Sequence, residues 1–218
     1  MEKIKVRLDI PIPSLNRAIK EVLSTISYWN KLENIWVTTS YKIRFLEGKF
    51  EENNVEIFVN PEDERTKNSR LFKGFLSRLI FLIINKKEGL DEELEQRLGS
   101  KGEMKKLKTI LKNYFADKRA IIYGCSSIFK DFYLELVSRE IYLNNHLTPL
   151  RYLEFYTYYL NFRDFPFGNQ LLEMIEGIEV NRKAELKALL LGFEELSYPS
   201  KIVSELIIKE WKRLRLWE

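Results

Sequence analysis

The chain predicts an α+β protein: a small, mostly antiparallel sheet covered by one central buried helix, followed by a helical C-terminal half. Three observations carry this expectation. Short runs of alternating apolar and charged residues recur before Asn60-Pro61, the period of half-buried strands. From Lys67 to Lys87 the period changes to a helical one, with Leu71, Phe75, Leu79 and Ile83 on one row and Phe72, Leu76 and Ile80 beside it. After Lys87 the apolar residues keep helical spacing, with one short stretch excepted.

In chain order, Ile4, Val6, Leu8 and Ile10 alternate with Lys5, Arg7 and Asp9, and Pro11 and Pro13 end the strand because neither can donate to a ladder. Ser14 is a good N-cap for a helix whose face is Leu15, Ile19, Val22, Ile26 and Trp29. Strands are expected at Asn34–Thr39, around Tyr41, Ile43 and Phe45, and around Val55, Ile57 and Val59. Glu47-Gly48-Lys49 and Glu52-Asn53-Asn54 offer turn chemistry between them. The Lys67–Lys87 helix is amphipathic at first, with Arg70, Lys73 and Arg78 placed to reach water. No polar residue lies between Leu79 and Ile84, so that half must be covered all round.

Beyond it, Asp91–Leu98 reads as a short acidic helix, and Glu103–Ala116 as a helix with Met104, Leu107, Leu111, Tyr114 and Phe115 on one face. Arg119–Gly124 reads as a brief extended piece or buried bend, and Ser127 as the cap of a helix through Phe132, Leu136 and Leu143. Thr148-Pro149 is a strong start signal for the helix after it, and Phe165-Pro166-Phe167-Gly168 a break. Two further helices are expected over Gln170–Phe193, with an interruption at Gly177, and over Ser200–Trp217.

A chain of 218 residues, 45% apolar and 31% charged, has room for a real core as one large domain or two small ones. The halves are expected at 1–88 and 89–218, within one compact domain. Lysine and glutamate dominate the charge and glutamine occurs only at Gln96 and Gln170, the bias of heat-adapted proteins. A net charge of +4 permits a polyanionic partner without demanding one. Cys125 stands alone, which excludes an intrachain disulfide and a thiolate metal cluster, and makes a reducing cytoplasm the default. The start, MEKIKVRLDI, has no continuous apolar stretch of the signal-peptide kind. A membrane span needs ~20 apolar residues, and the uncharged run Leu79–Asn85 is far shorter.

Little standard chemistry fits these residues. Zinc draws its ligands mainly from His and Cys, and the chain holds only His146 and Cys125. The Gly-rich phosphate cradles and the Gly-x-Ser-x-Gly elbow are missing, so no cofactor is expected. Glu62-Asp63-Glu64 and Asp91-Glu92-Glu93 read as a solvated turn and a helix start favoured by the dipole.

The order of elements over residues 14–87 resembles compact zincin metallopeptidases: helix, antiparallel strands ending in an edge strand, then the helix that bears His-Glu-x-x-His. By that resemblance the motif would fall near Gly74-Phe75-Leu76-Ser77-Arg78, where neither histidine nor the glutamate stands. It implies a zincin-like scaffold without metal or peptidase activity. Arg139 and His146 are similar in spacing to the Arg-x(4–6)-His signature of HEPN-type ribonucleases. That resemblance implies metal-independent RNA cleavage, the imidazole moving the 2′-hydroxyl proton and the guanidinium holding phosphate. An inter-helix turn explains His146 as well.

Lys105, Lys108 and Lys112 share a helix face, and Lys209, Lys212, Arg213 and Arg215 surround Trp211 and Trp217, a basic and aromatic pattern that suits single-stranded nucleic acid. A solvated lysine face explains it too. The stretch Tyr152–Phe167 carries more aromatic residues than one helix face buries, so Tyr152, Tyr156 and Tyr159 are candidates for a protein contact. The expected function is a non-catalytic soluble interaction protein, its partner another protein or a second copy. RNA binding or cleavage through Arg139 and His146 is the alternative.

Overall fold

The computed structural model describes residues 5–26, 34–51, 54–90, 92, 94, 102–144, 146–194 and 209. The protein is mixed α and β, and among the described residues a four-stranded and a two-stranded sheet accompany a mostly helical chain. It divides into two units, residues 1–87 with 116–135, and residues 88–115 with 136–218.

The first unit holds β1 (Lys5–Asp9), α1 (Pro13–Ile26), β2 (Asn34–Thr39), β3 (Leu46–Glu51), β4 (Asn54–Val59), α2 (Glu64–Lys67) and α3 (Ser69–Lys87). It also takes the end of α4 (Gly102–Ala120), a π-helical turn at Ile121–Cys125 and the start of α5 (Ser126–Leu143). The strand order is β1-β2-β4-β3. Pairs β1–β2 and β2–β4 run parallel and only β3–β4 is antiparallel, which corrects the mostly antiparallel sheet read from the sequence. The cause is connectivity. Helix α1 carries the chain back before β2 begins, and β4 turns back from the edge strand β3 to lie between β3 and β2.

Register follows the apolar pattern. Ile35, Val37, Val55, Ile57 and Val59 are buried on one face, and the Asn34 side-chain amide donates to Asn54 Oδ1 at 2.7 Å across the β2–β4 pair. Strand β1 is exposed along most of its length, with Ile10 buried just beyond it. The strand expected around Tyr41–Phe45 is instead a bent segment, and the strand lies at Leu46–Glu51, over the Glu47-Gly48-Lys49 expected to turn. Packing on the strand overrides turn propensity there. A Cβ at Gly48 would lie 2.6 Å from Ile83 Cδ1, so the missing side chain is what lets α3 approach. Asn60 secures the bend, its backbone N–H donating to Phe45 O at 2.8 Å and its amide to Ile43 O at 2.9 Å.

Helix α1 starts at Pro13, one residue before the expected cap, and buries Leu15, Ile19, Val22 and Ile26. Trp29 lies outside the described residues. Asn68 Oδ1 accepts from Arg70 N and Leu71 N and so caps α3. Helix α3 buries Leu71, Phe72, Leu76, Ile80, Phe81, Ile83 and Ile84, but also Arg78, which the sequence placed towards water. Phe75 meets Phe45 edge to face at 5.2 Å and Phe132 at 4.8 Å. The stretch Arg119–Gly124 is not extended: the chain kinks at Tyr123 and Gly124, which leave helical geometry, so the bend of the two expectations is the one found, with Ile121 buried and Ile122 and Tyr123 exposed. The kink between α4 and α5 is made by Gly124 at φ 104°, a conformation that favours glycine.

The second unit holds the start of α4, the end of α5, β5 (His146–Leu147), α6 (Pro149–Phe162), α7 (Pro166–Glu176), β6 (Glu179–Val180) and α8 (Lys183–Glu194). Thr148 Oγ1 accepts from Arg151 N at 3.3 Å and Pro149 opens α6, as the dipeptide predicts. Pro166 opens α7, and Gly177 ends it where the interruption was expected. Helix α6 packs on α7 and α8. Strands β5 and β6 pair parallel, setting His146 opposite Glu179. The expected helices at Asp91–Leu98 and Ser200–Trp217 fall mostly outside the described residues, although Glu92, Leu94 and Lys209 are helical.

Candidate functional site

Gly74 and Arg78 are one turn apart and share a face of α3. Both positions are filled. A Cβ at Gly74 would stand 2.1 Å from Cγ of Phe132, whose ring occupies that space. The Arg78 guanidinium lies 4.9 Å from the centre of the same ring. It donates from Nε to Asp117 Oδ1 at 2.8 Å and from Nη2 to Asp117 Oδ2 at 2.5 Å. The Tyr133 hydroxyl donates to the same Oδ2 at 2.8 Å. The two charged side chains are 6% and 0% exposed, so this is a sealed ion pair with its acceptor atoms satisfied. Beside it, Arg119 donates from Nη1 to Asn85 Oδ1 at 2.8 Å, both residues buried. Removing one partner of such a buried pair costs about 3–5 kcal/mol, because the other charge is left without compensation.

A second place gathers around His146. The β5–β6 pairing and the end of α7 form an open cleft of about 400 Å³ lined by His146, Glu176, Gly177, Ile178, Glu179, Val180, Asn181 and Lys183. His146 Nε2 stands 3.3 Å from Asn181 Oδ1. Lys183 donates from Nζ to the Glu176 and Ile178 carbonyls at 2.6 and 3.3 Å, neutralising the last turn of α7. The Glu176 carboxylate also meets Lys183 and Lys187 at 3.3 and 2.8 Å and accepts from the Tyr152 hydroxyl at 3.2 Å. Burial raises the affinity of Glu176 for a proton. Hydrogen bonds from Lys187 and Lys183 outweigh that and hold its carboxyl below the usual range. The Tyr152 phenol is pushed up, first by burial and then by the Glu176 charge.

Comparison with protein families, with curated proteins and with solved structures found no match.

The structure separates residues that the sequence grouped. Arg139 is exposed on α5 and does not line the cleft that holds His146. On α4, Lys105 is exposed, Lys112 half-buried and Lys108 only 8% exposed, which corrects the reading of three solvated lysines in a row. Helix packing took Lys108 because it neighbours the buried Leu107 and Leu111. Lys209 is exposed, while Lys212, Arg213 and Arg215 lie outside the described residues with Trp211 and Trp217. Tyr152 is fully buried, a correction to its candidacy for partner contact, because α7 and α8 cover its face of α6. Tyr156 and Tyr159 are half-buried and meet edge to face at 5.1 Å. Among the described residues, no group of three or more His, Cys, Asp or Glu stands ready to hold a metal ion.

Two features escaped the sequence reading. One is the Arg78–Asp117–Tyr133 cluster. Its signal was available, since Asp117 follows Tyr114 by one helical step on the apolar face of α4, as Arg78 follows Gly74 on α3. The other is a run of exposed apolar residues ending α5: Ile141, Tyr142 and Leu143 are 37%, 89% and 71% exposed. Near it Arg151 donates to Glu140 from Nε at 3.1 Å and Nη2 at 2.8 Å, and to Glu154 from Nη1 at 2.5 Å, tying α6 to the last turn of α5.

Proposed function

We propose that this chain is a non-catalytic interaction protein on a zincin-like scaffold, with α3 as the buried cover of the sheet and no reaction along it. The cover reading draws on the contacts of Ile83 and Leu79 with Gly48 and of Phe75 with Phe45. The scaffold reading draws on the element order, although α3 follows the interior strand β4 and not the edge strand β3. A reducing compartment suits the buried lone thiol.

The observation that carries the interaction role is Tyr142, at 89% exposure with Leu143 beside it at 71%. Exposed aromatic and aliphatic side chains in sequence are what protein contacts recruit, since the ring buries while the hydroxyl keeps a partner. The test is a photo-crosslinking residue in place of Tyr142, with Tyr41, also exposed, as the control position. A crosslinked partner or second copy obtained from position 142, and lost with Leu143→Asp, is expected. Equal labelling from both positions, or none from 142, refutes the interaction role.

The RNA alternative draws on the cleft at His146 alone. Glu176 and Glu179 in that cleft repel phosphate, and Arg139 is not part of it. Labelled RNA at low salt decides it, cleavage lost with His146→Ala being the result that would favour it.

A further inference from the structure

The start of α1, Pro61, α2 and the start of α3 surround a cavity of about 230 Å³ that shares no residue with either place described above. We infer that it binds a small amphipathic carboxylate, its apolar end inward and its charge at Lys67. Leu15 and Ala18, three apart on the buried stripe of α1, line the inner wall with Thr66 of α2 and Phe72 of α3, all four buried. The Thr66 hydroxyl donates to Asn60 O at 2.7 Å, so its hydrogen is spent. The inner wall therefore offers contact surface and no side-chain donor. Apolar atoms gain by entering such a space, because a wall without partner atoms forfeits its dispersion contacts. Drug-sized ligands occupy ~300–1,000 Å³, so the tail that fits here is short.

The rim has the opposite character. Lys67 is the one charged side chain among the lining residues, and the exposed Ser14 and Ser69 add hydroxyls. The Lys67 amine meets Glu64 Oε1 at 3.3 Å, with the two side chains 59% and 82% exposed. An exposed pair of long side chains is worth little, so a carboxylate at the mouth takes the amine from Glu64 at small cost. The neighbouring acid Asp63 is already held by Arg65, which donates to both of its oxygens at 2.8 Å. An apolar recess with a cation at its mouth selects a tailed carboxylate. Acetate lacks the tail for the inner wall, and an alcohol of equal length lacks the charge for Lys67.

Hexanoate, 1-hexanol and acetate separate these contributions in an NMR titration of the labelled, full chain. Hexanoate should shift the amides of Ala18, Lys67 and Phe72, acetate should not, and 1-hexanol should bind about tenfold more weakly, the worth of a hydrogen bond to a charged group. Lys67→Gln should bring hexanoate to the level of the alcohol, and Ala18→Leu, which fills the recess, should abolish the shifts. Absence of hexanoate shifts at these amides overturns the inference. Equal affinity for acid and alcohol, or hexanoate binding unchanged by Lys67→Gln, overturns it as well. Should Ala18→Leu not fold, Lys67→Gln carries the test, since its side chain is exposed. None of these outcomes bears on Tyr142, which the crosslinking experiment decides separately.

Discussion

At the scale of single residues, the groups that matter most are charges whose neighbours decide their state. Glu176 titrates near 4.5 in an unfolded chain and lower in the folded protein, where Lys187 and Lys183 hold it ionised against the effect of burial. Its contribution to stability is therefore complete above about pH 4.5 and lost as the pH falls through the folded value. In urea denaturation, the wild type should exceed Glu176→Gln in stability at about pH 6, and the gap should narrow steadily as the pH falls below about 4.5. A gap that stays constant across this range would place the lysine contacts among surface pairs of no consequence. The same scale explains why half of the candidate site was hidden in the sequence. Arg78 looks like any solvent-facing helix charge until its partner is known, and that partner is 39 residues away.

Elements follow the apolar pattern closely where one face is buried and depart from it where packing selects a small residue. The β2 and β4 strands, the α1 face, the Thr148-Pro149 start of α6 and the Gly177 break were all legible, because each rests on local periodicity or capping. The position of β3 and the parallel pairings were not, because they depend on which segment lies next to which in space. Gly48 and Gly74 make the distinction measurable. An added Cβ at Gly74 meets the root of the Phe132 side chain, Cβ and Cγ, which cannot swing away without moving α5. At Gly48 it meets Ile83 Cδ1, the free end of a flexible side chain. Gly74→Ala should cost about 1–3 kcal/mol in spite of its gain in helix propensity. Gly48→Ala should cost less than about 1 kcal/mol. Equal costs in chemical denaturation would mean that α3 and α5 are not packed as tightly as this contact requires.

For the whole molecule, the lone cysteine is a reporter of global opening. Cys125 is fully buried at the end of the π turn, and burial pushes its thiol up to about 11, against a smaller opposing effect from Ser77. A disulfide reagent at about pH 8 should label the native chain slowly and the denatured chain at once, the native rate rising with denaturant in step with unfolding. Rapid labelling in native buffer would contradict that burial. No helix among the described residues is long and apolar enough to cross a membrane, and a net charge of +4 leaves nucleic acid or protein partners open. The placement of β4 also sets a schedule for synthesis. The last strand of the four-stranded sheet to be made, Asn54–Val59, occupies an interior place between β2 and β3. A nascent chain that stops short of Asn54 leaves Ile35 and Val37 on β2 without the Val55 and Ile57 that pair with them, so a ribosome must release the hairpin before the sheet can close.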